Sequence, residues 1–284
     1  MKIYITGLPS GYEVEHLVRL FYPMAPLTLT APEDGEDCVW AEKKPDGLWA
    51  MVRERGKSKT ARALLPDIET PEFALASLTY DLLRAWTGIR PPWGKMTGVR
   101  PVRLIHDKRA AGWSEEDIDQ FFLGRFDCSR QKYQMAKAIA DLQEPILKAG
   151  SVPKTYSLYI GIPFCPSRCS YCSFVSCNLD RDRKMVQPYV DCLCREVEEI
   201  KAQADKAGLA LCSIYIGGGT PTSLSADQLR QLMGTVRENF DLSQVMEYTV
   251  EAGRPDCTDA EKLAVIKEYG ATRISINPQT FSDE

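Results

Sequence analysis

From Tyr156 onward the chain alternates strand-like and helical segments, and that order leaves few folds open. Residues 157–162, 212–216, 247–250 and 273–276 have the composition of short strands. Between the first two, Val190, Leu193, Cys194, Val197 and Ile200 fall on one helical face. A second helix is predicted to open at Ser225, with Gln228 as its capping-box partner and Leu229, Leu232, Met233, Val236 and Phe240 behind it. A third is predicted to open at Thr258 with Glu261, to run through Leu263 and Ile266, and to stop at Gly270. Strands separated by helices must pair in parallel through right-handed crossovers. Four such strands do not close a barrel, and the last is left as an open apolar edge. The expectation is the front part of a longer β/α protein.

Residues 1–150 follow different rules. Strand-like runs at 2–6, 38–42 and 48–53 come first. Ser114 and Asp117 then resemble a capping box, with Ile118, Phe121 and Phe122 at helical spacing and Ala136, Ile139, Ala140 and Leu142 continuing to Gly150. Gly150-Ser-Val-Pro153 reads as a linker. The expected organisation is an α+β accessory domain over 1–150 and an α/β domain over 151–284.

Composition excludes several classes. A formal charge of -4 does not suit bulk binding to nucleic acid. No apolar run is long enough to span a bilayer, and the run before Gly7 is too short for a signal peptide. The cytoplasm is the expected compartment, so the ten cysteines are expected as thiols or metal ligands rather than disulfides. With only His16 and His106 present, imidazole-based zinc hydrolysis and Ser–His or Cys–His nucleophiles have little to work with.

Four cysteines are concentrated. In Tyr159-Ile-Gly-Ile-Pro-Phe-Cys165-Pro-Ser-Arg-Cys169-Ser-Tyr-Cys172-Ser-Phe174, three thiols are spaced C-x3-C-x2-C, and Cys177 follows. The loop leaves the C-terminal end of the first strand, where parallel α/β folds place their sites. Three thiolates can each take a different iron of a cubane and leave a fourth iron open to a chelating small molecule, whereas ferredoxin-type clusters use four. A closed cluster using Cys177 and a chance grouping of thiols are the alternatives. Structural zinc would need a second cysteine pair or histidines nearby. Cys192, Cys194 and Cys212 read as small core residues.

The second strand runs into Gly217-Gly218-Gly219-Thr220-Pro221-Thr222. Glycines let a ligand approach bare backbone, yet no G-x-G-x-x-G or G-K-[ST] pattern marks this turn for phosphate. Gly56-Lys57-Ser58 looks like half a P-loop but has Met51 where its first glycine belongs. A ligand with a carboxylate and an amine suits the triple-glycine turn better. Glu251, ending the third strand, and Gln279, beyond the fourth, place polar groups at the same rim, though each is also what a solvated strand end would carry.

Together the cysteine loop, glycine turn, Glu251 and Gln279 resemble the radical S-adenosylmethionine superfamily. More narrowly, residues 156–284 look like the oxygen-independent coproporphyrinogen oxidase group, which includes the heme chaperones. Met96-Thr-Gly-Val-Arg100-Pro101 and the N-terminal length look like its coproporphyrinogen dehydrogenase subgroup. The resemblance implies a partial (β/α)6 barrel of which this chain holds the first four units, and hence a chain inactive alone. It implies a [4Fe–4S] cluster on Cys165, Cys169 and Cys172. It implies S-adenosylmethionine held by Tyr159, Gly218 and Glu251, and a second S-adenosylmethionine against Tyr171, Gly219, Thr220 and Gln279. The implied chemistry is reductive cleavage to a 5′-deoxyadenosyl radical, fed by a donor such as flavodoxin or ferredoxin. That radical abstracts hydrogen from coproporphyrinogen III propionates, which lose carbon dioxide to become vinyls. Gly161 stands where the oxidases carry histidine, and Phe174 where they carry a further cysteine. The Cys-x-Phe pattern is like the chaperone branch, which implies heme as the alternative partner.

Seven basic residues between Arg84 and Arg109 (Arg84, Arg90, Lys95, Arg100, Arg103, Lys108 and Arg109) face one acid, Asp107, in the same stretch. Arginine forks suit carboxylates, so part of this run is expected to meet a tetrapyrrole at the barrel mouth. The competing reading is a solvated helix face.

Overall fold

The structure, a computed structural model, describes residues 1–28, 30–65 and 69–280; residues 281–284, after the expected edge strand, lie outside it. The chain divides into two compact units, Met1–Leu142 and the remainder from Gln143.

In the first unit β1 (Lys2–Thr6), α1 (Tyr12–Arg19), β2 (Leu27–Thr28), β3 (Cys38–Lys44), β4 (Gly47–Glu54) and β5 (Lys57–Ala63) build a five-stranded sheet in the order β2-β1-β3-β4-β5. β1 pairs in parallel with β2 and β3, and β3-β4-β5 is an antiparallel meander. β5 carries almost no apolar residues, which is why its sequence gives no strand signal; its Lys57, Lys59 and Arg62 instead blunt an edge. The half P-loop is the hairpin turn into this strand, with Arg55 and Gly56 both at positive φ. The helix α2 (Pro71–Thr87) packs Leu75, Tyr80 and Leu83 against the same core as Ile3, Val14 and Leu17. Thr70 caps it and Gly88 closes it in the left-handed conformation.

Then α3 (Pro101–Ala110) and α4 (Glu115–Asp119) lead into a π-helical turn over Gln120–Arg125 and the helix α5 (Arg130–Gly150). Ser114 does cap α4, accepting from the Asp117 amide, but Asp117 takes the serine hydroxyl rather than returning a backbone bond. Ile118, Phe122, Tyr133, Ala136 and Ala140 form this core, while Leu142, expected with them, is exposed.

Six of the seven basic residues in the run are engaged within the protein, while Arg100 is exposed at the start of α3. Arg84 and Arg90 both pair with Asp127, Lys95 with Asp81, Arg103 with Asp107, and Arg109 with Glu115 and Asp141. Lys108 lies over the Trp113 ring. The acids that neutralise the run come mostly from later in the chain, which the local charge count could not register.

In the second unit the order is β6 (Thr155–Ile162), β7 (Phe164–Cys165), β8 (Cys177–Asn178), α6 (Leu179–Asp182), α7 (Val186–Ala207), β9 (Ala210–Gly218), α8 (Ala226–Asn239), β10 (Glu247–Glu251), α9 (Ala260–Glu268) and β11 (Arg273–Ser275). The four long strands pair in parallel in the order β11-β10-β9-β6, as the alternation requires. One face carries Leu158, Ile160, Ile162, Ile214, Ile216, Tyr248 and Val250 under the apolar stripes of α7, α8 and α9. Removing each such side chain from water contributes about 1.5–3 kcal/mol. The opposite face holds Ser157, Tyr159, Ser213, Tyr215, Glu247 and Glu251, so these strands are buried on one side rather than two.

The Ser225–Gln228 capping box forms in both directions. α9 is capped one residue later than expected: Asp259 accepts from the Lys262 amide, and Thr258 is occupied instead with Thr222 and the Ala252 carbonyl. Among the described residues no helix is long and apolar enough to cross a membrane.

Candidate functional site

The C-terminal ends of β6, β9, β10 and β11 open on one cavity of about 190 Å³. Cys165, Cys169, Cys172, Tyr171, Gly218, Gly219, Thr220, Glu251 and Gln279 all line it. Residues up to 114 positions apart in sequence therefore meet at one rim (279 less 165), because parallel strands present every β-to-α loop at the same end. Tyr159 does not line this cavity. Its ring is exposed and stacks on Tyr215 with centroids 5.9 Å apart. Cys177 is also elsewhere: β8 pairs it beside Phe164, and it opens on a separate apolar pocket with Met185, Tyr189 and Cys192. The cavity is thus left with three thiols.

The glycine turn is dictated first by the protein's own backbone. The Gly219 amide donates to the Ile162 carbonyl at 2.7 Å and the Thr220 amide to the Phe164 carbonyl at 2.9 Å. A Cβ on Gly219 would stand 2.9 Å from the Phe164 oxygen and 3.0 Å from Cys165 Sγ. Gly218 sits at φ 111°, a region that side chains rarely adopt. Beside them the Thr220 hydroxyl donates to Cys165 Sγ at 3.3 Å. Bare backbone at this turn is what lets the cysteine loop close down on β9.

Glu251 is half-buried rather than simply solvated. The Tyr215 hydroxyl donates to its Oε1 at 2.6 Å. Burial first, and then that bond, push the Tyr215 phenol up to about 12. Burial and the Glu251 charge raise Tyr159 in the same direction, so both tyrosines feel this carboxylate. Across the cavity the Tyr171 hydroxyl donates to Gln279 Oε1 at 2.8 Å, and Gln279 Nε2 donates to the Gly253 carbonyl at 2.9 Å.

Sequence reading passed over Arg254, Ser167 and Asn277, which also line the cavity. For Arg254 a signal existed, a basic residue three positions beyond the acid that ends a strand. Apart from Asp256, its partners Ser167 and Cys169 lie 87 and 85 residues away, so their identity was not legible.

The donor set fits an iron–sulfur cluster. Cys165, Cys169 and Cys172 are free thiols of intermediate exposure on one short loop, facing a common space. Among the described residues no three His, Cys, Asp or Glu side chains gather tightly enough to hold a single metal ion. Cubane ligands need no such convergence, because each binds a different iron.

The profile of the Radical SAM superfamily matches residues 159–284. The chain is 37% identical over 211 residues to the oxygen-independent coproporphyrinogen-III oxidase-like protein HemZ of Bacillus subtilis (strain 168), a match covering 72% of this chain and 41% of that protein. It is 42% identical over 129 residues to the heme chaperone HemW of the same organism, covering 45% of this chain and 33% of that one. It is 32% identical over 146 residues to the anaerobilin synthase of Escherichia coli O157:H7, covering 51% of this chain and 32% of that one. The chain thus spans about a third to two fifths of the length of these curated relatives. The cysteine loop, the rim at the ends of a parallel sheet and the matched profile agree: residues 159–284 are a radical SAM domain, and the chain is similar to the group that includes oxygen-independent coproporphyrinogen oxidase-like proteins and heme chaperones.

Proposed function

We propose that Cys165, Cys169 and Cys172 hold a [4Fe–4S] cluster and that the protein is an oxygen-independent coproporphyrinogen III dehydrogenase, turning propionates into vinyls. One observation carries the reading: three free thiols share a cavity with Glu251 and the bare backbone of Gly218 and Gly219. When bound, the cluster and S-adenosylmethionine supply the radical that removes hydrogen from the propionate.

The chain's own residues bind and orient. Glu251, held at Oε1 by Tyr215, keeps Oε2 for the ammonium of the methionine end. Gly218 and Gly219 allow that end to lie against main chain, and Tyr159 flanks the same carboxylate. Tyr171 and Gln279 tie the cysteine loop to the loop after β10.

The substrate class is supported by the HemZ relative. Its match covers 72% of the chain, so it reaches ahead of Tyr159 into the region that holds Met96-Thr-Gly-Val-Arg100-Pro101. A second reading, a heme chaperone without decarboxylase activity, is favoured by Phe174, which lines the cavity where the oxidases carry cysteine.

The test is anaerobic reconstitution of a protein of the relatives' full length that contains these residues, with iron, sulfide, reductant and S-adenosylmethionine, followed by assay of 5′-deoxyadenosine and decarboxylated porphyrinogen. Product dependent on coproporphyrinogen III is expected. Cofactor cleavage without decarboxylation, together with tight heme binding in a titration, would move the conclusion to the chaperone.

A further inference from the structure

Arg254 stands in the loop after β10 and is only 15% exposed. Its Nη1 donates to the Ser167 carbonyl at 3.3 Å and to Cys169 Sγ at 3.4 Å. Its Nη2 donates to Ser167 Oγ at 3.1 Å. On the other side Asp256 takes Nε at 3.0 Å and Nη2 at 2.5 Å. The loop that carries it is itself pinned, since Lys262 Nζ donates to the Thr222 and Cys257 carbonyls, both at 2.8 Å.

An arginine serving only an ion pair with Asp256 would have no use for this arrangement. Here the planar fork is spread across the C-x3-C segment, and one nitrogen points at a thiol sulfur. Lysine, a single point charge, could not hold the carbonyl, the hydroxyl and the sulfur together.

We infer that Arg254 is a positioning residue that clamps the Ser167–Cys169 segment to the end of β10 and, by donating to the Cys169 sulfur, raises the reduction potential of the cluster held there. The inference rests on the proposal that Cys165, Cys169 and Cys172 bind a cluster. The physical reason is direct. Hydrogen bonds to ligand sulfurs and nearby positive charge stabilise the added electron, and both set iron–sulfur potentials.

The experiment compares the parent protein with Arg254→Gln and Arg254→Lys after anaerobic reconstitution. Iron and sulfide are counted, and the cluster is then titrated with dithionite under EPR. A parent without a cluster defeats the proposed function itself, and the clamp with it. With a cluster in place, the Gln variant is expected to be harder to reduce by about tenfold in the reduced-to-oxidised ratio, roughly 59 mV for one electron. The Lys variant should fall between it and the parent. Loss of iron from the Gln variant alone also supports the clamp. Equal potentials and equal iron in all three proteins would overturn it. Loss of iron from both variants with circular dichroism unchanged supports the clamp as well, because lysine cannot span the three acceptors.

Discussion

The Tyr171 hydroxyl donates to Gln279 Oε1 at 2.8 Å across a separation of 108 residues. That bond joins the cysteine loop to the segment after β11, and Gln279 passes it on to the Gly253 carbonyl. The cavity wall is thus closed by a short chain of polar contacts rather than by apolar packing.

Replacing Gln279 with Ala removes both bonds of that chain. A net hydrogen bond contributes about 1 kcal/mol, so the variant should bind S-adenosylmethionine at least about fivefold more weakly. Calorimetry on the reconstituted protein checks this. Tyr171→Phe, which keeps the ring and loses one bond, should show the smaller effect.

Glu251 should matter more, because its bond to an ammonium is charge-assisted. Glu251→Gln is expected to weaken S-adenosylmethionine binding about 10- to 100-fold, given 1.5–3 kcal/mol for such a bond. Tyr215→Phe leaves the charge but frees its orientation, and should cost less than Glu251→Gln. The same calorimetry ranks the two; a larger loss in the tyrosine variant would contradict the assigned roles.

The first unit has an acid-sensitive pairing. Arg109 at 2.8 Å and Lys137 at 2.6 Å hold the Glu115 carboxyl down to about 2, from an ordinary 4.5. A depressed carboxylate contributes stability that is fully present above its ordinary value and is lost as pH falls through its folded value. The window is therefore from about 4.5 down to about 2. Glu115 is half exposed, so solvent screening keeps the effect small. Urea unfolding at stepped pH should show a shallower acid loss in Glu115→Gln than in the parent, from a lower neutral starting point.

How much of this was legible in sequence follows from which interactions are local. The parallel sheet of the second unit was readable because period-two strands and capped helices such as Ser225–Gln228 signal through neighbours. The three cysteines, Gly218, Gly219, Glu251 and Gln279 were readable as a set because each ends a strand or lies in the segment that follows one, and parallel strands end together. The hidden parts depend on distant partners. β5 was invisible because a polar edge strand lacks alternation, and its only cue was the Arg55-Gly56 turn. The basic run looked unpaired because Asp127 and Asp141 arrive from other elements. Cys177, thirteen positions into the cysteine cluster, is carried away from the cavity by its pairing beside Phe164. Arg254 gained its meaning only when β10 brought it to Cys169.

The central claim is that three cysteines, and not Cys177, hold a four-iron cluster. The most direct measurement is iron and sulfide content with EPR of the dithionite-reduced protein, for the parent and for serine variants at 165, 169, 172 and 177. About four irons and four sulfides are expected per chain in the parent and in Cys177→Ser, with the reduced-cluster signal present. Each of Cys165→Ser, Cys169→Ser and Cys172→Ser should lose both. A cluster that survives those three changes, or one that vanishes with Cys177→Ser, would contradict the account.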